Sequence, residues 1–224
     1  MHSPDAKRLV IAVDGPAGSG KSSASRLLAE RLSYRYIDTG AMYRAAAVAA
    51  HRSGVSVDND AALKRLMEGV DISFVSGRIH LDGEDVSRAI REPKMDGLSS
   101  AVSARAPIRA ALITLQRRMA EAGGVVMEGR DIGTVVLPDA DIKFFITASA
   151  EVRGKRRYTE RIGRGEEADL QEVICAIKQR DERDARRELS PLVPADDAEV
   201  IDTSPMNLEE VVDYMMERVK KHGI

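Results

Sequence analysis

The 224-residue sequence predicts an α/β fold, a parallel sheet flanked by helices. Three observations carry this. Short apolar runs of strand length recur along the chain, and helical patterns separate most of them. A glycine-rich loop, GPAGSGKS at 15–22, joins the first such run to a helix-spaced segment. Only residues 70–87 alternate apolar and polar side chains with a period of two, as a small antiparallel ribbon would.

Leu9–Val13 is wholly apolar, which suits a strand buried on both faces, and Ser23–Leu32 follows with helical spacing. Tyr36–Ile37 predicts the second strand. The ribbon then follows what reads as the second core helix, with turns at Ser76-Gly77 and Asp82-Gly83. Gly124–Met127, Ile142–Thr147 and Glu199–Ile201 predict three more core strands. Leu170, Val173, Ile174 and Ile177 form a helical stripe. Ser204-Pro205 reads as a cap and first-turn proline ahead of another stripe, Leu208, Val211, Val212, Met215 and Val219.

Lys and Arg number 34 against 36 Asp and Glu, a net charge of −2, so no global field recruits nucleic acid or a membrane surface. No apolar run reaches the roughly 20 residues of a membrane span, and MHSPDAKR lacks the apolar core of a secretory signal. A cytoplasmic location is expected. The single Cys175 forms no internal disulfide and, within VICAI, reads as a small buried hydrophobe. His2, His51, His80 and His222 have no metal-site spacing.

The glycine-rich loop carries the plainest chemistry. Gly15, Gly18 and Gly20 let the backbone curl until successive N–H groups face an anion, and the following helix adds its positive end. Lys21 reaches the outer phosphates, and Ser22 is placed to ligate Mg²⁺. The expected ligand is a nucleoside triphosphate, bound by Gly15, Pro16, Ala17, Gly18, Ser19, Gly20, Lys21, Ser22 and Ser23.

Two more polar patches end predicted strands, where open parallel sheets collect ligands. IDTGAMYR places the hydroxyl of Thr39, the phenol of Tyr43 and the guanidinium of Arg44 on the loop side. EGRD brings Glu128, Arg130 and Asp131 to the same rim. Glu128 stands like the acidic residue that holds magnesium, directly or through water, although Arg130 and Asp131 also suit a plain loop salt bridge. Residues 153–187 carry more basic than acidic side chains, including Arg153, Arg156, Arg157, Arg161 and Arg164. Such a run suits a solvated face, or a lid that neutralises a transferred phosphoryl group.

Taken together, GPAGSGKS, IDTGAMYRA, EGRDIGTVV and RDERDARRELSPLVPADDAEVIDTS resemble the bacterial cytidylate kinases from about Leu9 to Val219. The resemblance implies one nucleoside monophosphate kinase domain, 1–224, with a five-stranded parallel core over about 8–60, 107–150 and 168–222. It implies a monophosphate-binding insert at about 61–106 and a short lid at about 151–167. By matching position, Arg44 and Arg130 hold the acceptor phosphate, while Ser100, Arg109 and Asp131 read the cytosine edge. Arg180 and Asp184 meet the ribose hydroxyls, Arg187 the base or phosphate, and Thr39 keeps a hydroxyl where serine is common. Arg153 and Arg157 are the implied lid arginines, joining Lys21, Arg44 and Arg130 in catalysis. The implied partners are ATP with Mg²⁺, CMP and dCMP. A monomer that binds neither nucleic acid nor membrane is expected.

Two rival readings share the loop. A shikimate- or gluconate-type kinase needs a hydroxyl acceptor and a general-base carboxylate, with no use for the ribbon. A GTPase-type switch needs an N-K-x-D motif, which the sequence lacks.

Overall fold

The computed structural model of the chain describes residues 8–187 and 189–222, so His2 lies outside the described residues. In chain order, β1 (Val10–Asp14) leads into α1 (Lys21–Leu32) and β2 (Arg35–Asp38). Helices α2 (Thr39–Arg52) and α3 (Asp60–Gly69) precede three short strands, β3 (Ile72–Val75), β4 (Arg78–Leu81) and β5 (Glu84–Asp85). Next come α4 (Pro93–Ser103), α5 (Ala106–Ala120), β6 (Val125–Glu128) and a π-helical turn at Ile132–Val136. The chain finishes with β7 (Ile142–Thr147), α6 (Ala150–Gly163), α7 (Leu170–Ala185), β8 (Glu199–Asp202) and α8 (Leu208–Lys221). Two compact units result, one running to Tyr36 and resuming at Ala122, the other spanning Ile37–Glu121.

The first unit is built on a parallel sheet of order β2-β6-β1-β7-β8. Ile11 and Val13 of β1 and Phe144 and Ile146 of β7 turn one face toward Leu28 of α1 and Val212 and Met215 of α8. Ala12 and Met127, of opposite parity, are also buried, which is why these strands read as continuous apolar runs. Each such large side chain contributes about 1.5–3 kcal/mol on burial.

In the second unit, α2 buries Ala45 through Ala50 almost all round, as an interior helix must. Asp38 caps it by accepting from the Ala41 N–H at 2.8 Å. The ribbon forms as read, with Ile72 opposite Leu81 and His80 opposite Asp85. Both residues of each turn have positive φ, Ser76 at 50° with Gly77 at 75° and Asp82 at 51° with Gly83 at 81°. These are the hairpin turns whose twist matches that of the strands. The ribbon follows α3, a third helix that the sequence reading had not separated from the second.

Three local expectations are corrected. Helix α8 starts at Leu208, not at Ser204-Pro205, because Asn207 and Glu210 close a capping box, each side chain accepting from the other's N–H. Ser204 instead accepts from the Ser149 N–H at 3.0 Å, and Leu208 is 42% exposed, outside the buried stripe. Cys175 is exposed, because the buried face of α7 is Val173, Ile174 and Ile177 and position 175 falls off it. Helix α1 begins at Lys21, two residues before the expected Ser23.

Candidate active site

In the first unit, β1 ends in Asp14, β6 in Glu128 and β8 in Asp202, so the carboxyl rim of the sheet is lined with carboxylates. The phosphate loop leaves this rim under tight constraint. Gly15 has φ 149°, and a Cβ there would sit 2.0 Å from the Ile146 carbonyl oxygen, so no side chain fits. Gly18 and Gly20 have φ 76° and 90°, and Gly20 caps α1 in the left-handed region. The Ser19 carbonyl accepts from Thr203 Oγ1 at 2.9 Å and from Arg156 Nη1 at 3.1 Å. Pro16 and Ala17 complete the loop, and Ser23 is exposed in the first turn of α1.

Lys21 is buried, with Nζ donating to the Pro16 carbonyl at 3.3 Å and lying 4.0 Å from Glu128 Oε2. That same carboxylate oxygen accepts from Ser22 Oγ at 2.9 Å, and Oε1 accepts from the Tyr36 hydroxyl. A serine hydroxyl and a carboxylate meeting beside the loop form the hard-oxygen donor set that Mg²⁺ prefers. Among the described residues, no group of three or more His, Cys, Asp or Glu side chains could hold a metal ion. Ser22 and Glu128 are the residues beside the loop whose oxygens suit such an ion.

Two residues beyond Glu128, Arg130 turns to a different partner. Asp184 on α7, only 2% exposed, accepts from Arg130 Nε at 3.3 Å and from Arg187 Nη2, and pairs with Arg180 Nε at 3.9 Å. One carboxylate thus gathers three of the arginines that the sequence singles out. Asp131 is buried next door, and its carbonyl accepts from the N–H groups of Val135 and Val136. Arg153 is buried on α6, where it grips Asp181 with both Nη atoms at 3.0 and 2.6 Å and donates to the Ala17 carbonyl at 3.2 Å. In this arrangement it braces the phosphate loop. Arg157 pairs with Glu160 at 3.0 Å near the surface.

The remaining expected residues lie in the second unit. Arg44 Nη2 donates to Asp38 Oδ2 at 3.3 Å, so the residue that caps α2 also orients the arginine. Thr39 is buried in the first turn of α2. The Arg109 guanidinium, buried on α5, lies 5.9 Å from the Tyr43 ring centroid. Ser100 sits on α4, its carbonyl accepting from Ser103 Oγ at 2.9 Å.

Sequence reading passed over several contributors. Asp181 holds Arg153, Tyr36 holds Glu128, and Asp14 accepts from the Ile132 and Gly133 amides, while Arg156, legible only as one of the arginine run, holds the Ser19 carbonyl. Asp14 had a usable signal, a carboxylate at a strand end directly before the first loop glycine, in the same setting as Glu128.

A profile of the cytidylate kinase family matches residues 11–221. A cytidylate kinase from Geobacter sp. (strain M21) is 52% identical over 217 residues, 95% of this chain and 93% of its own length. One from Geobacter sulfurreducens is 50% identical over 225 residues, 99% and 97%. Among solved structures, a shikimate kinase from Bacteroides thetaiotaomicron aligns with a TM-score of 0.51 at 14% identity, over 96% of this chain and 99% of its own. That last likeness is one of fold.

Proposed function

We propose that this chain, which belongs to the cytidylate kinase family, transfers the γ-phosphoryl group of ATP to CMP, and to dCMP, giving CDP or dCDP and ADP. The observation that carries the reading is the end of β6. Glu128 there faces the phosphate-loop lysine and serine, while Arg130, two residues on, joins an arginine cluster suited to a second anion. A phosphoryl donor and an anionic acceptor need just such a pair of sites.

The acceptor oxygen is already anionic at neutral pH, so the reaction needs no general base. Lys21 offsets charge on the outer phosphates, and Arg44 and Arg130 align the acceptor phosphate. Arg153 and Arg157 take the lid role over about 151–167. Ser22, and Glu128 directly or through water, would hold Mg²⁺, which would supply further charge neutralisation on the triphosphate.

Asp131 accepts from the cytosine amino group, while Arg109 and Ser100 donate to its N3 and O2 acceptors. Uracil would turn an oxygen toward that carboxylate, at a cost of about 1–3 kcal/mol. Arg180 and Asp184 meet the ribose, with Arg187, Thr39 and Tyr43 completing the acceptor site. The insert at about 61–106, ribbon included, belongs to the acceptor side. No helix among the described residues is long and apolar enough to cross a membrane. The enzyme is proposed to act as a cytoplasmic monomer in pyrimidine nucleotide metabolism, without nucleic acid or membrane.

A panel of CMP, dCMP, UMP, AMP and shikimate with ATP, read as ADP release, tests this. Turnover is expected with CMP and dCMP. Preference for shikimate, or acceptor-independent hydrolysis, would overturn it.

A further inference from the structure

Asp14 is a buried carboxylate that the proposed reaction leaves without a role. It is the last residue of β1 and 5% exposed. Its Oδ1 accepts from the Ile132 N–H at 2.9 Å and its Oδ2 from the Gly133 N–H at 2.8 Å. These two amides open the π-helical turn Ile132–Val136, and Asp131, the residue before it, supplies no side-chain cap. A helical turn leaves its first N–H groups without internal partners, and here a carboxylate from another strand satisfies them.

What flanks each end of this contact gives it functional weight. Arg130 and Asp131 immediately precede the clamped amides. Gly15 immediately follows Asp14, and its approach to the Ile146 carbonyl fixes where the phosphate loop begins. One residue pair therefore sets both the root of the donor loop, through the backbone, and the base of the 130–133 turn, through a side chain.

We infer that Asp14 is a positioning residue for the acceptor: by clamping the Ile132 and Gly133 amides it holds Arg130 and Asp131 in register with the phosphate loop. The inference rests on the acceptor roles proposed above for those two residues. Burial pushes the Asp14 carboxyl up to about 6, with the two amides opposing that shift, the Asp131 charge adding to it and Arg130 drawing it down. From β7, Lys143 also borders the turn, its Cδ 3.1 Å from where a Gly133 Cβ would stand and its Nζ held by Asp197 at 2.8 Å.

Protonation puts an O–H where an acceptor is needed, so the clamp weakens as pH falls through about 6. Fold stability runs the other way. A raised carboxyl pKa contributes stability that is fully present below the ordinary value of 3.8 and lost as pH rises through about 6. Loosening of the turn near pH 5 would thus not stem from weakening of the fold through this group.

The test compares Asp14→Asn and Asp14→Ala with the unmodified chain, measuring KM for CMP and for ATP and amide exchange at Ile132 and Gly133. Asn keeps the shape but sets an NH₂ against one of the two N–H donors. The KM for CMP should rise about tenfold and that for ATP stay within about threefold, with both amides exchanging faster. Equal rises for the two nucleotides, no rise, or unchanged exchange would overturn the inference. Should neither variant fold, the unmodified chain decides by itself. Ile132 and Gly133, the amides that Asp14 holds, should be protected at neutral pH at least as well as Val135, which bonds within the turn, and free exchange at either would refute the clamp. Amide exchange needs no turnover, so a chain inactive on CMP would sink the functional reading and still leave the clamp judged.

Discussion

The phosphate loop presents eight consecutive residues held in place by glycine geometry, whereas the Asp184 cluster draws its arginines from positions 130, 180 and 187. In the loop, backbone N–H groups make the electrostatic surface, and they would greet any triphosphate alike. In the cluster, long side chains make it, each already engaged by a buried carboxylate. Backbone recognition is stiff and indifferent to what the phosphate is attached to. Side-chain recognition can be tuned to the rest of the ligand, and it demands several distant residues at once. On the proposed reading, the loop is the donor end and marks a broad class of enzymes, and the Asp184 cluster belongs to the acceptor end and marks this family.

Substitutions can break that comparison in order of expected effect. Lys21→Ala should lower kcat about a thousandfold, roughly 4 kcal/mol of transition-state stabilisation, in steady-state assays with CMP. A loss confined to KM would place Lys21 in binding alone. Arg130→Ala should cut kcat/KM for CMP about a hundredfold while the KM for ATP moves less than about threefold. If both nucleotides suffer equally, the two anion sites are not separable and the contrast fails. Asp131→Ala should narrow the CMP-over-UMP preference about tenfold, measured as a ratio of kcat/KM values. An unchanged ratio would remove Asp131 from base recognition and leave it to shape the turn alone.

The same contrast governs what the sequence made legible. The phosphate loop, the ribbon turns at Ser76-Gly77 and Asp82-Gly83 and the core strands rest on short-range rules of backbone geometry and burial. Arg44, Arg130 and Asp131 were legible as polar residues at strand ends, but the roles proposed for Arg180, Asp184 and Arg187 came only from family resemblance, since no local rule brings Arg130, Arg180 and Arg187 to Asp184. Contacts made at long range stayed hidden. Asp14 meets its amide partners 118 and 119 residues away, Arg156 the Ser19 carbonyl at 137, and Arg153 finds Asp181 at 28. Local rules also misled where two signals competed. Ser204-Pro205 looks like a helix start, yet the Asn207–Glu210 pair satisfies two backbone groups reciprocally and takes the cap. Cys175 borrowed an apolar character from neighbours that face the other way around α7.

The double grip of Thr203 and Arg156 on the Ser19 carbonyl has a further consequence. A trans peptide is planar, so anchoring that oxygen on the outside of the loop obliges the Gly20 N–H of the same unit to aim the opposite way. The orientation of at least this amide dipole is thus decided by residues on α6 and just past β8 before a triphosphate arrives. Little reorganisation remains for the moment of binding, and the part of the protein that is most exacting about geometry owes its readiness to a threonine and an arginine that no phosphate-loop motif contains.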